Sequence, residues 1–197
     1  MYKKLIALLV AFVYVAQIAF CAPVVNLKIC QESDLAACEV VFVNAFMKAY
    51  EPYTLEELAV KDKELFLKEA FSDVYADFKT GEQKLVVAKM NDTVIGFAGF
   101  KLAKDPEQIY ITQLAVDPKF WRRGVAANLM QTAFKLYPDA TSLVVIARRI
   151  NQVARNFYIK QGFVESSYMH EGYNPERYVG YEWQEPSGED ETFSSVE

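Results

Sequence analysis

The stretch from Val116 to Met130 constrains this chain most: Val-Asp-Pro-Lys-Phe-Trp-Arg-Arg-Gly-Val-Ala-Ala-Asn-Leu-Met. An apolar strand end, a proline turn, a basic turn centred on Gly124 and a helix follow one another without a break. Backbone N–H groups from Arg122 to Ala127 would leave the first helical turn unpaired, where the helix dipole and the guanidinium groups of Arg122 and Arg123 favour a bound anion. Gly124 lets the backbone approach such a ligand closely, and Ala126 and Ala127 keep the next turn free of bulk.

A second ordered segment lies downstream. After the apolar run Leu143 to Ala147, the chain reads Asn-Gln-Val-Ala-Arg-Asn-Phe-Tyr-Ile-Lys-Gln-Gly-Phe from Asn151. Asn151 is a favourable N-cap and Gly162 a favourable residue just past a helix end, so both termini of a three-turn helix are marked. Val153, Ala154, Phe157 and Tyr158 share one face, whereas Arg155, Asn156, Lys160 and Gln161 turn towards solvent or ligand.

Together the two segments resemble motifs A and B of the Gcn5-related N-acetyltransferases, the GNAT family. Motif A is usually Gln/Arg-x-x-Gly-x-Gly/Ala; this chain has Trp121-x-x-Gly124-x-Ala126, departing at the first position. That change removes a side-chain contact but spares the main-chain amides that do most of the anion binding. Motif B, Asn-x-x-Ala-x-x-(apolar)-Tyr-x-x-x-Gly-Phe, is filled at every anchor.

The resemblance implies an α+β fold with a mixed, mostly antiparallel sheet flanked by helices and splayed between its fourth and fifth strands. It implies acetyl-CoA as co-substrate, with the diphosphate on Arg122, Arg123, Gly124, Val125, Ala126 and Ala127. The pantetheine arm would pair with the main chain of Leu114, Ala115 and Val116, with Asn151, Asn156 and Lys160 on the motif B side. Strand edges opened by the splay would then find hydrogen-bond partners in the cofactor's amides.

The reaction so implied is direct attack of a neutral amine, from a small molecule or a protein amino group, on the acetyl carbonyl. A main-chain amide of the fourth strand would hold the oxyanion. Tyr158 would be the catalytic acid, since a phenol of pKa about 10 is protonated at neutral pH and can pass its proton to a departing thiolate. Many family members carry a Glu or His base on the fourth strand, but here Thr112 and Gln113 stand in that region and neither can titrate. Glu51, Glu56 and His170 are candidates from elsewhere; release of the proton to solvent through a water chain on Thr112 and Gln113 is another route. Two other readings stay open: a non-catalytic acyl-CoA-binding module, and an exported interaction domain that keeps only the fold.

With 197 residues, 52% of them hydrophobic, the chain can bury one good core. Residues 23–184 form the expected acetyltransferase domain. Lys3 and Lys4 precede a nearly unbroken apolar run from Leu5 to Phe20 and then Cys21-Ala22-Pro23, the pattern of a secretory signal over residues 1–22. Cleavage would make the protein periplasmic or secreted; an uncleaved or lipidated segment would anchor it to a membrane through that segment alone. Residues 185–197 read as an acidic, disordered tail.

The formal charge is −5, and losing Lys3 and Lys4 with the leader would make it −7. Such a balance disfavours nucleic acid and attracts a cationic amine. His170 is the sole histidine and no Cys-x-x-Cys occurs, so no metal signature is present. Cys30 and Cys38 are suited to pairing in an oxidising compartment or to being two buried thiols. Oligomeric state is not encoded in any readable feature.

Pattern reading predicts a strand over Val24–Cys30, helices over Leu35–Tyr50 and Glu64–Phe78, and a capping box at Thr54 to Glu57. It predicts strands over Lys84–Met90, Val94–Leu102 and Gln108–Val116, then the motif A helix with Val125, Leu129, Met130, Ala133, Phe134 and Tyr137 inward. Strands over Leu143–Ala147, Phe163–Met169 and Arg177–Trp183 complete the layout around the motif B helix.

Overall fold

The fold is described by a computed structural model over residues 24–184, so the expected leader at 1–22 and the acidic tail at 185–197 lie outside the described residues. Among the described residues, no helix is long and apolar enough to cross a membrane. Seven strands form one sheet: β1 Val25–Ile29, β2 Lys84–Met90, β3 Thr93–Leu102, β4 Gln108–Val116, β5 Ser142–Arg148, β6 Val164–Ser166 and β7 Tyr178–Gln184. Their spatial order is β1-β2-β3-β4-β5-β7-β6, antiparallel throughout except for the parallel pair β4 and β5.

Helices α1 (Leu35–Ala49), α2 (Leu55–Leu58) and α3 (Lys63–Thr80) separate β1 from β2; α4 (Val125–Gln131) and α5 (Ala133–Leu136) lie between β4 and β5; α6 (Gln152–Lys160) follows β5. Local chemistry sets these boundaries. Thr54 and Glu57 form the reciprocal capping box that opens α2, and Asp62 caps α3 by accepting from the Leu65 amide at 2.7 Å. Gly81 ends α3 at φ 78°. The β2–β3 hairpin turns on Asn91 and Asp92, both at positive φ (49° and 62°), the two-residue geometry that matches strand twist.

Alternation along the strands divides the core into two layers. One face carries Val86, Ala88, Phe100, Ile109, Ile111, Leu143 and Val145 against Val125, Leu129 and Met130 of α4 and Tyr158 of α6. The other carries Leu85, Val87 and Phe97 against Leu35, Cys38, Phe42, Leu67 and Phe71 of α1 and α3. Each fully buried Leu, Ile or Phe stabilises such a layer by about 1.5–3 kcal/mol. Cys30 and Cys38 are free, buried thiols in the second layer. At its edge Lys89 Nζ donates to Asp34 Oδ1 at 2.6 Å, tying β2 to the start of α1.

Three expectations are corrected. The motif A helix is broken, with Thr132 between α4 and α5; the Thr132 hydroxyl donates to the Leu129 carbonyl at 2.6 Å, competing with the helical ladder. The strand expected over Phe163–Met169 pairs only at Val164–Ser166, because the chain then leaves the sheet edge and crosses β7. Val153, expected on the packed face of its helix, is 44% exposed and faces the site described next.

Candidate active site

Parallel pairing of β4 with β5 extends only from Gln108–Ser142 to Ile111–Val145. Beyond it the strands part, and residues 112–116 of β4 keep hydrogen-bonding neighbours on the β3 side alone. A bulge falls at this point, since Phe100 pairs with Ile111 and Gly99 with Gln113, leaving Thr112 as the extra residue. The Thr112 hydroxyl donates to Gln83 Oε1, and Gln83 Nε2 donates to the Val74 carbonyl at 3.0 Å. Thr112 is therefore engaged within the fold and holds the bulge.

A cavity of about 630 Å³ occupies the split and runs to the start of α4. Its walls include Leu114, Ala115 and Val116 of β4, Arg122, Gly124, Val125, Ala126 and Ala127 of the turn and α4, and Asn151, Asn156, Tyr158 and Lys160 from the α6 region. Every expected site residue but one is thus brought to the same space. Arg123 is not in the wall; its guanidinium lies over the Phe120 ring, 5.5 Å from the centroid.

The turn before α4 has a defined electrostatic character. Among the described residues, no backbone amide from Arg122 to Ala127 donates to another main-chain or side-chain group; the first helical bond is Asn128 N to Gly124 O at 2.9 Å. Arg122 (φ 61°) and Gly124 (φ 78°) are both left-handed, an alternation that turns successive N–H groups into a concave nest for an anion. A left-handed arginine costs about 1–3 kcal/mol, which the surrounding structure must overcome.

Part of that hold comes from Trp121, the residue that departs from the motif. Its indole Nε1 donates to the Val116 carbonyl at 2.6 Å, pinning the turn to the end of β4. Asp117 fixes the other side by accepting from the Lys119 amide at 2.9 Å. Asn151, 4% exposed, caps α6 through Oδ1 and the Ala154 amide at 3.1 Å.

The family model described as "Acetyltransferase (GNAT) family" matches residues 43–163, more than half of the chain. The chain belongs to the GNAT acetyltransferase family. No curated protein sequence matches it. Among solved structures it is similar to the PaiA N-acetyltransferase of Thermoplasma acidophilum in complex with coenzyme A, at 17% identity and TM-score 0.65, covering 82% of this chain and 99% of that one. It is also similar to a GCN5-related N-acetyltransferase from Rhodopseudomonas palustris, at 23% identity and TM-score 0.61 over 84% and 98% of the two chains. The ribosomal-protein-S18-alanine N-acetyltransferase of Escherichia coli aligns at 15% identity and TM-score 0.57 over 85% and 98%. At these identities the likeness is one of fold.

In this GNAT protein Tyr158 is 6% exposed and packs against Phe157, Phe163 and Tyr181, while one side of it lines the cavity. Its hydroxyl makes no hydrogen bond to another described residue, and burial pushes its ionisation well above the ordinary phenol range. It stays protonated at neutral pH. Of the candidate bases, Glu51 is exposed and its ion pair with Lys48 holds its carboxyl below the usual range, and Glu56 is exposed on α2.

His170 differs from both. It is partly buried, with its ring 4.6 Å from that of Tyr110 and its Nε2 3.1 Å from the Tyr168 hydroxyl. Sequence reasoning missed Ala45, Phe46 and Ala49 of α1, which close the cavity from the other layer, and the packing of Tyr110 and Tyr168 around His170 outside it. The α1 residues lie within the helix predicted over Leu35–Tyr50, but nothing local said which neighbour they would leave room for.

Proposed function

We propose that this protein is an N-acetyltransferase that moves the acetyl group of acetyl-CoA to a primary amine by direct attack. One observation carries the reading: the unpaired amides of residues 122–127, the free edge of β4 and the Tyr158 phenol border a single cavity. A diphosphate would accept hydrogen bonds from the nest, assisted by Arg122. The pantetheine amides would pair with Leu114 and Val116, and the thioester would then lie in the split beside Tyr158.

Attack would form the N–C bond and shift charge to the carbonyl oxygen, which a β4 amide in the split would stabilise. As the C–S bond breaks, its electron pair leaves with sulfur and the Tyr158 hydroxyl supplies a proton. Burial makes the phenol a weaker acid, yet the thiolate forms in the same desolvated cleft, so its basicity rises in step. Asn156 and Lys160, on the exposed side of α6, would border the arm from the other wall.

Thermal denaturation with acetyl-CoA, followed by thiol release with a panel of amines, tests the reading. The panel comprises 2-phenylethylamine, spermidine, lysine and a peptide with a free N-terminus. Saturating acetyl-CoA should raise the melting temperature, since a ligand at about 100 times its Kd adds about 2.7 kcal/mol. At least one amine should release coenzyme A thiol. Stabilisation without release would reduce the protein to a coenzyme-binding module, and no stabilisation would remove the coenzyme altogether.

A further inference from the structure

The segment between β6 and β7 crosses the sheet at a point that only a glycine permits. A Cβ on Gly180 would sit 2.0 Å from the Tyr168 carbonyl oxygen, so the absence of a side chain is what lets residues 166–168 lie on β7. Gly180 pairs with Ile146, the first β5 residue beyond the last β4–β5 pair. The crossing therefore lies beside the mouth of the split. Val179 and Tyr181 point into the α4–α6 layer, so Gly180 and the segment over it belong to the opposite face.

That face also carries Tyr110, whose neighbours Ile109 and Ile111 point into the α4–α6 layer. Tyr168 and His170 pack over it: ring centroids lie 5.7 Å apart for Tyr110 and Tyr168, and 4.6 Å apart for Tyr110 and His170. Tyr158 reaches the split from α6 on the other side, and lies close enough to Tyr110 to help keep that phenol un-ionised. Tyr158 thus lines the split on one face, and the tyrosine–histidine pair packs on the other face over Tyr110, whose pair with Val144 is the last but one before the strands part, outside the cavity wall itself.

We propose that Tyr168 and His170 form the proton-accepting end of the reaction, with the Tyr168 oxygen receiving the proton of the attacking amine as its own proton passes to His170 Nε2. This rests on the acetyltransferase reading and adds to it the base that the fourth strand lacks. When the N–C bond forms, the nitrogen becomes positively charged. Its proton moves to the Tyr168 oxygen and the Tyr168 proton moves to Nε2. The C–S bond breaks, the thiolate takes the Tyr158 proton, and the imidazolium returns the balance through solvent, leaving an amide and a thiol.

The surroundings keep both groups in the required state. Burial, then Lys101 of β3 and Lys104 of the following turn, press the imidazole pKa below its usual value, so it is neutral at pH 7. Lys101 is itself near Asp77 and Glu82, at 3.8 and 4.0 Å, which softens its effect. Burial and Tyr173 push Tyr168 up to about 12, so the phenol stays protonated, and the relay uses the tautomer in which Nε2, 3.1 Å away, accepts from the Tyr168 hydroxyl. The facing groups are thus Tyr110 and Tyr168, both held protonated by burial, Tyr173, and the two lysines.

The test uses the full chain and the panel amine with the fastest wild-type rate. His170→Gln should lower kcat about 100-fold or more, within the range for general base catalysis, while leaving acetyl-CoA affinity unchanged. The wild-type rate should fall on the acid side with the pKa of this imidazole, below 6.5, and the variant should lose that limb. Imidazole added to His170→Ala should restore part of the rate, which no packing role would do.

Because His170 is the sole histidine, its titration can be read from its imidazole NMR signals in wild type. Tyr168→Phe should raise that pKa by removing the donor to the neutral ring. Wild-type turnover with unchanged kcat in His170→Gln, or an acid limb that persists in it, overturns the relay while leaving the acetyltransferase intact. Coenzyme binding without turnover by the wild type overturns the acetyltransferase reading and this role with it.

Discussion

The two ends of the split are built by opposite means. The turn from Asp117 to Ala127 is continuous in sequence and offers main-chain N–H groups, held by Arg122 and Gly124 at positive φ and by the Trp121 bond to Val116. The segment from Ser167 to Arg177 offers side chains, and its position over Tyr110 depends on contact with Gly180 in a later strand. On the proposed reading, the backbone nest would recognise the diphosphate, and it needs only short-range sequence. The other segment would, on the same reading, meet the amine, and it depends on side chains brought together from distant positions.

Substitutions sharpen that contrast by separating coenzyme binding from turnover. The largest effect is expected for Tyr158→Phe, which should cut kcat by about 100-fold or more with Kd for acetyl-CoA nearly intact. Steady-state kinetics beside calorimetry checks it, and an unchanged rate removes the phenol from the mechanism. Gly124→Val should do the reverse. No neighbouring atom opposes a Cβ there, so its cost is conformational, about 1–3 kcal/mol at φ 78°, or about 5- to 150-fold in Kd.

Gly180→Ala probes the other wall, since the new methyl group must push the Tyr168 backbone away. It should lower kcat about tenfold by misplacing the pair over Tyr110, with coenzyme Kd unaltered. If Kd weakened instead, the two walls would not be independent. The smallest effect is expected for Trp121→Phe, where losing the bond to the Val116 carbonyl costs about 1 kcal/mol, near fivefold in coenzyme affinity. A titration calorimetry series over these variants ranks them directly.

The same contrast explains what the chain made legible. The turn before α4, the cap at Asn151, the inward face of α4 and the boundaries of β2 and β4 follow from short-range pattern, so reading residues in order recovers them. The early end of the β4–β5 pairing did not follow from the strands themselves; the splay there came from the family resemblance. Arg123 looked equivalent to Arg122, but stacking over Phe120 turns it away from the cavity.

Trp121 looked like a loss, because an indole bond to a carbonyl five residues back is invisible without the turn geometry. The Phe163–Met169 run reads as one strand by composition. Its departure after Ser166 is decided by Gly180, fourteen positions further along, and no local rule connects the two.

The central claim is that the unpaired amides before and within the first turn of α4 hold the coenzyme. Amide-resolved NMR of the protein titrated with acetyl-CoA tests it most directly. The account predicts large shifts and slowed hydrogen exchange for the amides from Arg122 to Ala127, accompanied by Leu114 and Val116 on the free edge of β4. Saturable binding that leaves those amides unperturbed, or no binding at millimolar acetyl-CoA, would contradict it.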